Sequence, residues 1–389
     1  MELVKTATQC DLAIPNSSAQ VVVHTETGDI LATYTPDARG KLDIEWPSPA
    51  RHVTFLSQAS DKLNLNTRMA QAAGDFGVIS VRDSTLNASC ECQSFTFDVS
   101  GVRSAYPDYE IYVNEELLLN GAVTSTQTLC KVTGANYSNI TLALVPSDVN
   151  LTAYAGIKVI DTLTSNYNLE FHDFSASIGQ FVDLVPSSAV DSYRTFANTA
   201  EGRKHIINGF NTTFVFSGLY EDNYIQAYRH VNLGSNSKGQ LRYTASRRLR
   251  ADLNVSSQHF EIAENENSLL SALSGFLEAV GDNQSVTYDL SEIGVNRASF
   301  FTSLYADSFQ WDVGGPLSGV LPSFTLPTAA AETIEAGVLS FAVIGSDGYM
   351  QSGGLEKLRE ELATESRSGT KKRPAYFDNY DSEYIFLDF

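Results

Sequence analysis

Between Ser94 and Gly101 the apolar residues Phe95, Phe97 and Val99 alternate with Thr96, Asp98 and Ser100, the period-two pattern of a strand buried on one face. Gly101 and Pro107-Asp108 then make a turn, and Tyr109 to Asn114 reads as a second, aromatic strand. A near copy at Ser308 to Gly315 keeps Ser, Phe, Asp, Val and the last Gly, with Trp311 where Phe97 stood. A weaker copy, Phe214 to Gly218, is again followed by a turn and a strand at Asp222 to Gln226. Three copies of one hairpin predict three β modules in which 94–101, 211–218 and 308–315 are equivalent strands. Ser100 and Ser217 lie 117 positions apart, and Asp173 and Asp289, within the similar blocks His172 to Gly179 and Tyr288 to Gly294, lie 116 apart. Two landmarks at one spacing support a duplication.

Residues 1–18 read as a polar lead-in. Ala19 to His24, Gly28 to Tyr34 and Lys41 to Trp46 then read as strands separated by turns, with His52 to Leu56 as a fourth. This order resembles the carboxypeptidase-regulatory-like, transthyretin-type β-sandwich over residues 19–81. The resemblance implies an accessory or structural module and carries over no catalytic residue. Asp83 to Ser89 is a polar linker candidate, and the hairpin of Phe95 to Val99 with Tyr109 to Val113 resembles the B and C strands of fibronectin type III or immunoglobulin-like domains. Ile140 to Val145, Gly156 to Ile160 and Tyr167 to Phe171 extend that module as strands.

Leu269, Leu270, Leu273, Phe276 and Leu277 share one face of a helix over 268–278. The last module runs through a strand at Gly337 to Ile344 and a Ser346-Asp347-Gly348 turn to Leu355, Leu358 and Leu362 at helical spacing. The closing residues read as a final strand, with Tyr384, Phe386 and Asp388 on one side and Ile385, Leu387 and Phe389 toward the core. The expected fold is mainly β: tandem antiparallel β-sandwich modules with a few short helices. The expected division is a lead-in at 1–18, a transthyretin-like sandwich at 19–89, an immunoglobulin-like module at 90–205, and two further β modules at 206–305 and 306–389.

A chain of 389 residues suits three or four domains. Its 26 Lys and Arg against 46 Asp and Glu give a formal charge of -20, which repels phosphate backbones and anionic lipid and argues against nucleic acid as a partner. No apolar run reaches the roughly 18 residues of a membrane span, and Met1 to Lys5 lacks the order of a signal peptide. The four cysteines and the Asn-, Ser- and Thr-rich composition favour an extracellular, periplasmic or surface-anchored protein whose leader peptide is absent, over a cytosolic one with reduced thiols. Eight Asn-x-Ser/Thr tripeptides, at Asn16, Asn87, Asn136, Asn139, Asn150, Asn211, Asn254 and Asn283, are candidate glycan acceptors.

Cys90 and Cys92 lie two apart, so on a strand they face the same way and each reaches a partner elsewhere. This predicts two disulfides, with Cys10 and Cys130 each joined to one of them. The six His are scattered, with no His-Glu-x-x-His or Cys-x-x-Cys spacing, and read as ordinary strand or surface residues. No nucleophile elbow, Walker loop or dinucleotide fingerprint is present, and Ser235-Asn-Ser-Lys238 matches Ser-x-x-Lys only inside a Gly-flanked turn. Lys238, Arg242, Arg247, Arg248 and Arg250 form either a patch for an acidic ligand or an edge hairpin charged against aggregation. Asp378, Asn379, Asp381 and Glu383 offer oxygens of the kind calcium takes, or a plain acidic turn. No catalytic residue and no other cofactor emerges. The reading is a non-enzymatic surface or secreted protein for binding, adhesion or scaffolding, with a protein or carbohydrate ligand. The alternatives are a secreted hydrolase with its site in an inter-domain cleft, and a structural subunit of a surface polymer.

Overall fold

The computed structural model describes residues 1–119, 121–161, 163–199, 202–207, 213–280, 282, 284–293, 298–349, 354–368 and 380–389. The protein is mainly β, as the alternation predicts, with helices α1 Ser100–Ala105, α2 Phe171–Phe174, α3 Glu266–Ala272, α4 Ser274–Ala279, α5 Thr328–Ala336 and α6 Gly354–Ser368.

One twelve-stranded sheet organises the chain. Its strands run, edge to edge, Gly202–Ile207, Ser192–Thr199, Asn223–Ser235, Gln240–Arg250, Tyr380–Asp388, Leu339–Tyr349, Ser299–Ala306, Phe309–Gly315, Lys62–Arg68, His52–Ala59, Gln20–His24 and Ile30–Tyr34. Neighbours are antiparallel except Phe309–Gly315 and Lys62–Arg68, which pair in parallel. Sheet pairing therefore crosses the expected boundaries at 205/206 and 305/306, and joins the end of the chain to residues 20–68. A second unit does form its own sandwich. The sheet carrying Tyr109–Val113 and Ile140–Pro146 faces the sheet carrying Cys90–Asp98 and Thr124–Val132, around Phe95, Phe97, Ile111, Val113, Leu142 and Leu144.

Several local expectations need correction. Residues 1–18 are not a lead-in: Glu2–Ala7 pairs with Ala13–Pro15 and, in parallel, with Val78–Asp83, burying Ala7 and setting Leu3 against Val21, Val53 and Phe55. Lys41 makes a single bridge to Glu2 and no strand covers 42–46, where Pro47 and its missing N–H end any ladder. Asp83 to Ser89 is a 3-10 turn capped by the Asp83 side chain, so it is not a free linker.

The three similar stretches are not equivalent. Ser100 and Gly101 start α1, Phe214–Val215 is a two-residue strand, and Gly314 and Gly315 remain in the long sheet. Asp173 lies in α2 while Asp289 lies in a strand, which removes the second landmark of the duplication. Ser346-Asp-Gly348 is no turn, because Leu339–Tyr349 pairs on both sides and that pairing overrides a local turn preference. The expected helix at 268–278 is split into α3 and α4 at Leu273, and its apolar face is buried.

Both expected disulfides are present, Cys10–Cys90 and Cys92–Cys130. The first ties the N-terminal sheet to the start of the second sandwich. The second joins directly opposed residues on neighbouring strands. Asn16, one of the candidate acceptors, is 2% exposed and donates its amide to Ser57 Oγ, so it is no glycan site in the folded chain. Asn211 and Asn283 lie outside the described residues.

Candidate functional site

On Ser299–Ala306 the side chains of Phe300, Thr302, Leu304 and Ala306 share one face of the long sheet, and register sets Thr302 against Val313 and Leu304 against Trp311. Three elements arch over this face. α4 buries Phe276 and Leu277 against Phe300 and Tyr288, the latter two stacked at 4.1 Å. α5 begins after Pro327, sets Ala330 and Ile334 against Phe309 and Leu326, and ends at Gly337. Between the two helices, Phe324 reaches down to Trp311, with ring centroids 6.1 Å apart.

The sheet and its cover enclose a groove rather than a filled core. It has an inner lobe of about 100 Å³ and an outer lobe of about 580 Å³, which share Val280, Asp282, Leu304, Trp311 and Phe324. The outer lobe is bounded by Phe309, Ala331, Ile334, Gly337, Val338, Leu339 and Phe389. A Cβ on Gly337 would lie 2.6 Å from the Phe309 ring, so glycine lets the chain close over that ring. The mouth is open to solvent through Val338, 77% exposed, and Phe389, 41% exposed, with the exposed Glu335 beside them. Lys238 sits at the rim and is held by Asp282 at 3.1 Å.

Gln284, Ser323 and Glu335 also line the two lobes, and two polar features bear on the wall around Trp311. Thr302 is buried and its Oγ1 has no hydrogen-bond partner, while its side chain shares the groove-facing row with Leu304 and Val313. Behind Trp311 runs a line of hydrogen bonds across four adjacent strands. Trp311 Nε1 donates to Thr67 Oγ1 at 2.8 Å, Thr67 and Thr54 are joined at 2.9 Å, Thr54 and His24 Nε2 at 2.9 Å, and His24 Nδ1 meets the Gly28 carbonyl at 3.2 Å. Burial pulls His24 down to about 4. The rings of His24 and His52 both contact Phe324, at 5.1 and 5.5 Å, so this line also braces the groove's wall.

The cations singled out in the sequence do not form one surface. Along Gln240–Arg250 the side chains alternate, so Arg247 lies on the core side with Tyr243 and Leu249, and Arg242, Arg248 and Arg250 lie on the other. Each has an internal partner: Lys238 with Asp282, Arg242 with Asp388, Arg247 with Asp381 and Arg250 with Asp222. Arg248 bonds Gln226 and lies over the Tyr380 ring at 4.8 Å.

Of the calcium candidates, Asp378 and Asn379 lie outside the described residues. Asp381 faces Arg247, and the fully buried Glu383 accepts from Tyr243 Oη and Asn265 Nδ2, each at 2.9 Å. Among the described residues no group of three His, Cys, Asp or Glu side chains is placed to hold a metal ion.

Sequence reading missed the groove. Its visible trace was Thr302 standing in the apolar row of Phe300, Leu304 and Ala306. Phe389, expected in the core, lies at the groove's mouth instead. Among the described residues no helix is long and apolar enough to cross a membrane. No protein family, no curated protein and no solved structure matches this chain.

Proposed function

We propose that the protein is a non-enzymatic, secreted or surface-exposed binding protein, and that the groove over Leu304 and Trp311 receives the apolar part of its ligand. One observation carries this reading: a largely apolar cavity of about 580 Å³ opens to solvent through Val338 and Phe389. The Thr302 hydroxyl at the inner lobe supports a ligand that brings one hydrogen-bonding atom with its apolar body, since a buried hydroxyl without a partner costs about 1–3 kcal/mol. The rim pair Lys238–Asp282 is internally compensated and Glu335 adds a carboxylate to the same lobe, which disfavours an anionic ligand group at the mouth. Two disulfides suit an oxidising compartment, which supports the extracellular placement.

The test is titration with N-phenyl-1-naphthylamine, a neutral dye that brightens in apolar surroundings. The expected result is saturable binding of one dye per chain. Ala331→Trp, which fills the outer lobe from a half-buried helix position, should weaken it by at least about tenfold. Absence of binding, or binding indifferent to this substitution in a variant that melts like the parent, would refute the assignment.

A further inference from the structure

The opposite face of the long sheet carries a second cavity. Lys62–Arg68 turns Arg68 toward Phe55 and Phe76, and its guanidinium lies over the two rings at 5.5 and 5.9 Å. α6 crosses beside it, held by Arg359, which donates to the carbonyls of Met69 at 2.7 Å and Ala70 at 3.1 Å. Arg68 and Arg359 both line a cavity of about 810 Å³ between α6 and residues 70–76.

The charges around this cavity include Glu356, which attracts Arg359 without pairing with it, and leave both arginines without an ion pair among the described residues. Arg367 is matched two-for-two with Asp75, both contacts at 2.5 Å. Glu360 lies 4.0 Å from Lys357, and Glu356 and Glu360 are both exposed. Arg68 makes one long bond, to the Phe76 carbonyl at 3.4 Å, and Arg359 bonds only the two carbonyls; among the described residues neither forms an ion pair. Desolvation, and for Arg359 the nearby Arg68, outweighs the opposing pull of Glu356 on Arg359 and brings both down to about 10, so both stay charged at neutral pH. Two like charges partly withdrawn from water repel one another, and an anion between them would relieve that repulsion. The Phe55 and Phe76 rings, 5.9 Å apart, lie to one side of the Arg68 guanidinium, and the N–H groups not bonded to the Phe76 carbonyl are left for a planar or tetrahedral oxyanion.

We propose that the cavity between α6 and residues 68–76 binds an oxyanion, a carboxylate or a phosphate group, between Arg68 and Arg359. The site is independent of the groove on the other face, and stands or falls without it.

The experiment is a thermal melt of the full chain in sodium phosphate, sodium acetate and sodium chloride at matched ionic strength, with phosphorus-31 line broadening of phosphate on the wild-type protein as a readout that needs no variant. The expected result is a saturable rise in melting temperature with phosphate or acetate over chloride. Arg68→Met and Arg359→Gln should each weaken it by at least about tenfold. Arg39→Gln, which removes an exposed cation at a remote turn, should leave it unchanged. A response to acetate alone identifies a carboxylate ligand, and one to phosphate alone identifies a phosphate. The proposal is overturned if neither anion stabilises the protein and phosphate shows no broadening, or if the rise persists undiminished in Arg68→Met and Arg359→Gln.

Discussion

At the scale of residues, the two ends of the line behind Trp311 decide every proton in it. The indole N–H only donates and the Gly28 carbonyl only accepts, so Thr67 passes its hydroxyl proton to Thr54, Thr54 donates to His24 Nε2, and His24 carries its proton on Nδ1. Protonating His24 would make Nε2 a donor to Thr54, turn the Thr54 hydroxyl toward Thr67 and leave the Thr67 hydroxyl proton without an acceptor in the line. The folded state therefore holds His24 neutral, from an ordinary 6.5 down to about 4, by burial and by the neighbouring His52. The unfolded chain takes its proton as pH falls through 6.5 and the folded chain refuses it until about 4. Stability is thus full above pH 6.5, falls between 6.5 and 4, and levels below; the His24 share is on the order of 3 kcal/mol. His52 and His205 are also lowered and add in the same direction. Urea midpoints at intervals from pH 8 to 4 should show this fall, and a flat profile over that range would contradict it. None of this was legible in the sequence. His24 and Thr54 read there as strand residues, and only the register of four strands brings them into line with Trp311.

Among the elements, the closing strand shows best what a pattern can and cannot disclose. Alternation in Tyr384 to Asp388 correctly set Ile385 and Leu387 inward, both fully buried, because a half-buried strand needs only its own period. The strand's neighbours were beyond reach of that argument. Tyr380–Asp388 lies between Gln240–Arg250 and Leu339–Tyr349, in the interior of the long sheet, and adds Glu383 to the buried bonds of Tyr243 and Asn265. Deleting residues 380–389 should therefore abolish cooperative folding of the whole sheet, since it removes two buried aliphatic side chains worth about 2–5 kcal/mol each and opens two strand edges. Circular dichroism melting of the truncated protein checks this, and an unchanged transition would refute the central placement. The cation run is the reverse case. Spacing made Lys238 to Arg250 look like one patch, whereas a strand's alternation divides it between two faces and cross-strand acids neutralise it.

In the molecule as a whole, the long sheet separates two cavities of opposite character, an apolar groove under α4 and α5 and an arginine-lined cavity beside α6. The mainly β fold and the presence of two bridges, one from each of Cys90 and Cys92, could be read from short-range pattern, while which partner each takes could not. The single sheet could not. Its parallel seam between Phe309–Gly315 and Lys62–Arg68 joins segments more than 240 positions apart, and nothing local in either announces the other. The groove depends on that seam, because Trp311 donates its indole N–H across it to Thr67 Oγ1. The most direct measurement of the central claim is a crystal structure grown with saturating N-phenyl-1-naphthylamine. The expected result is ring density between Trp311, Phe324 and Ile334, with the dye's amine directed toward Thr302. Dye bound elsewhere on the protein, with this groove empty, would contradict the account.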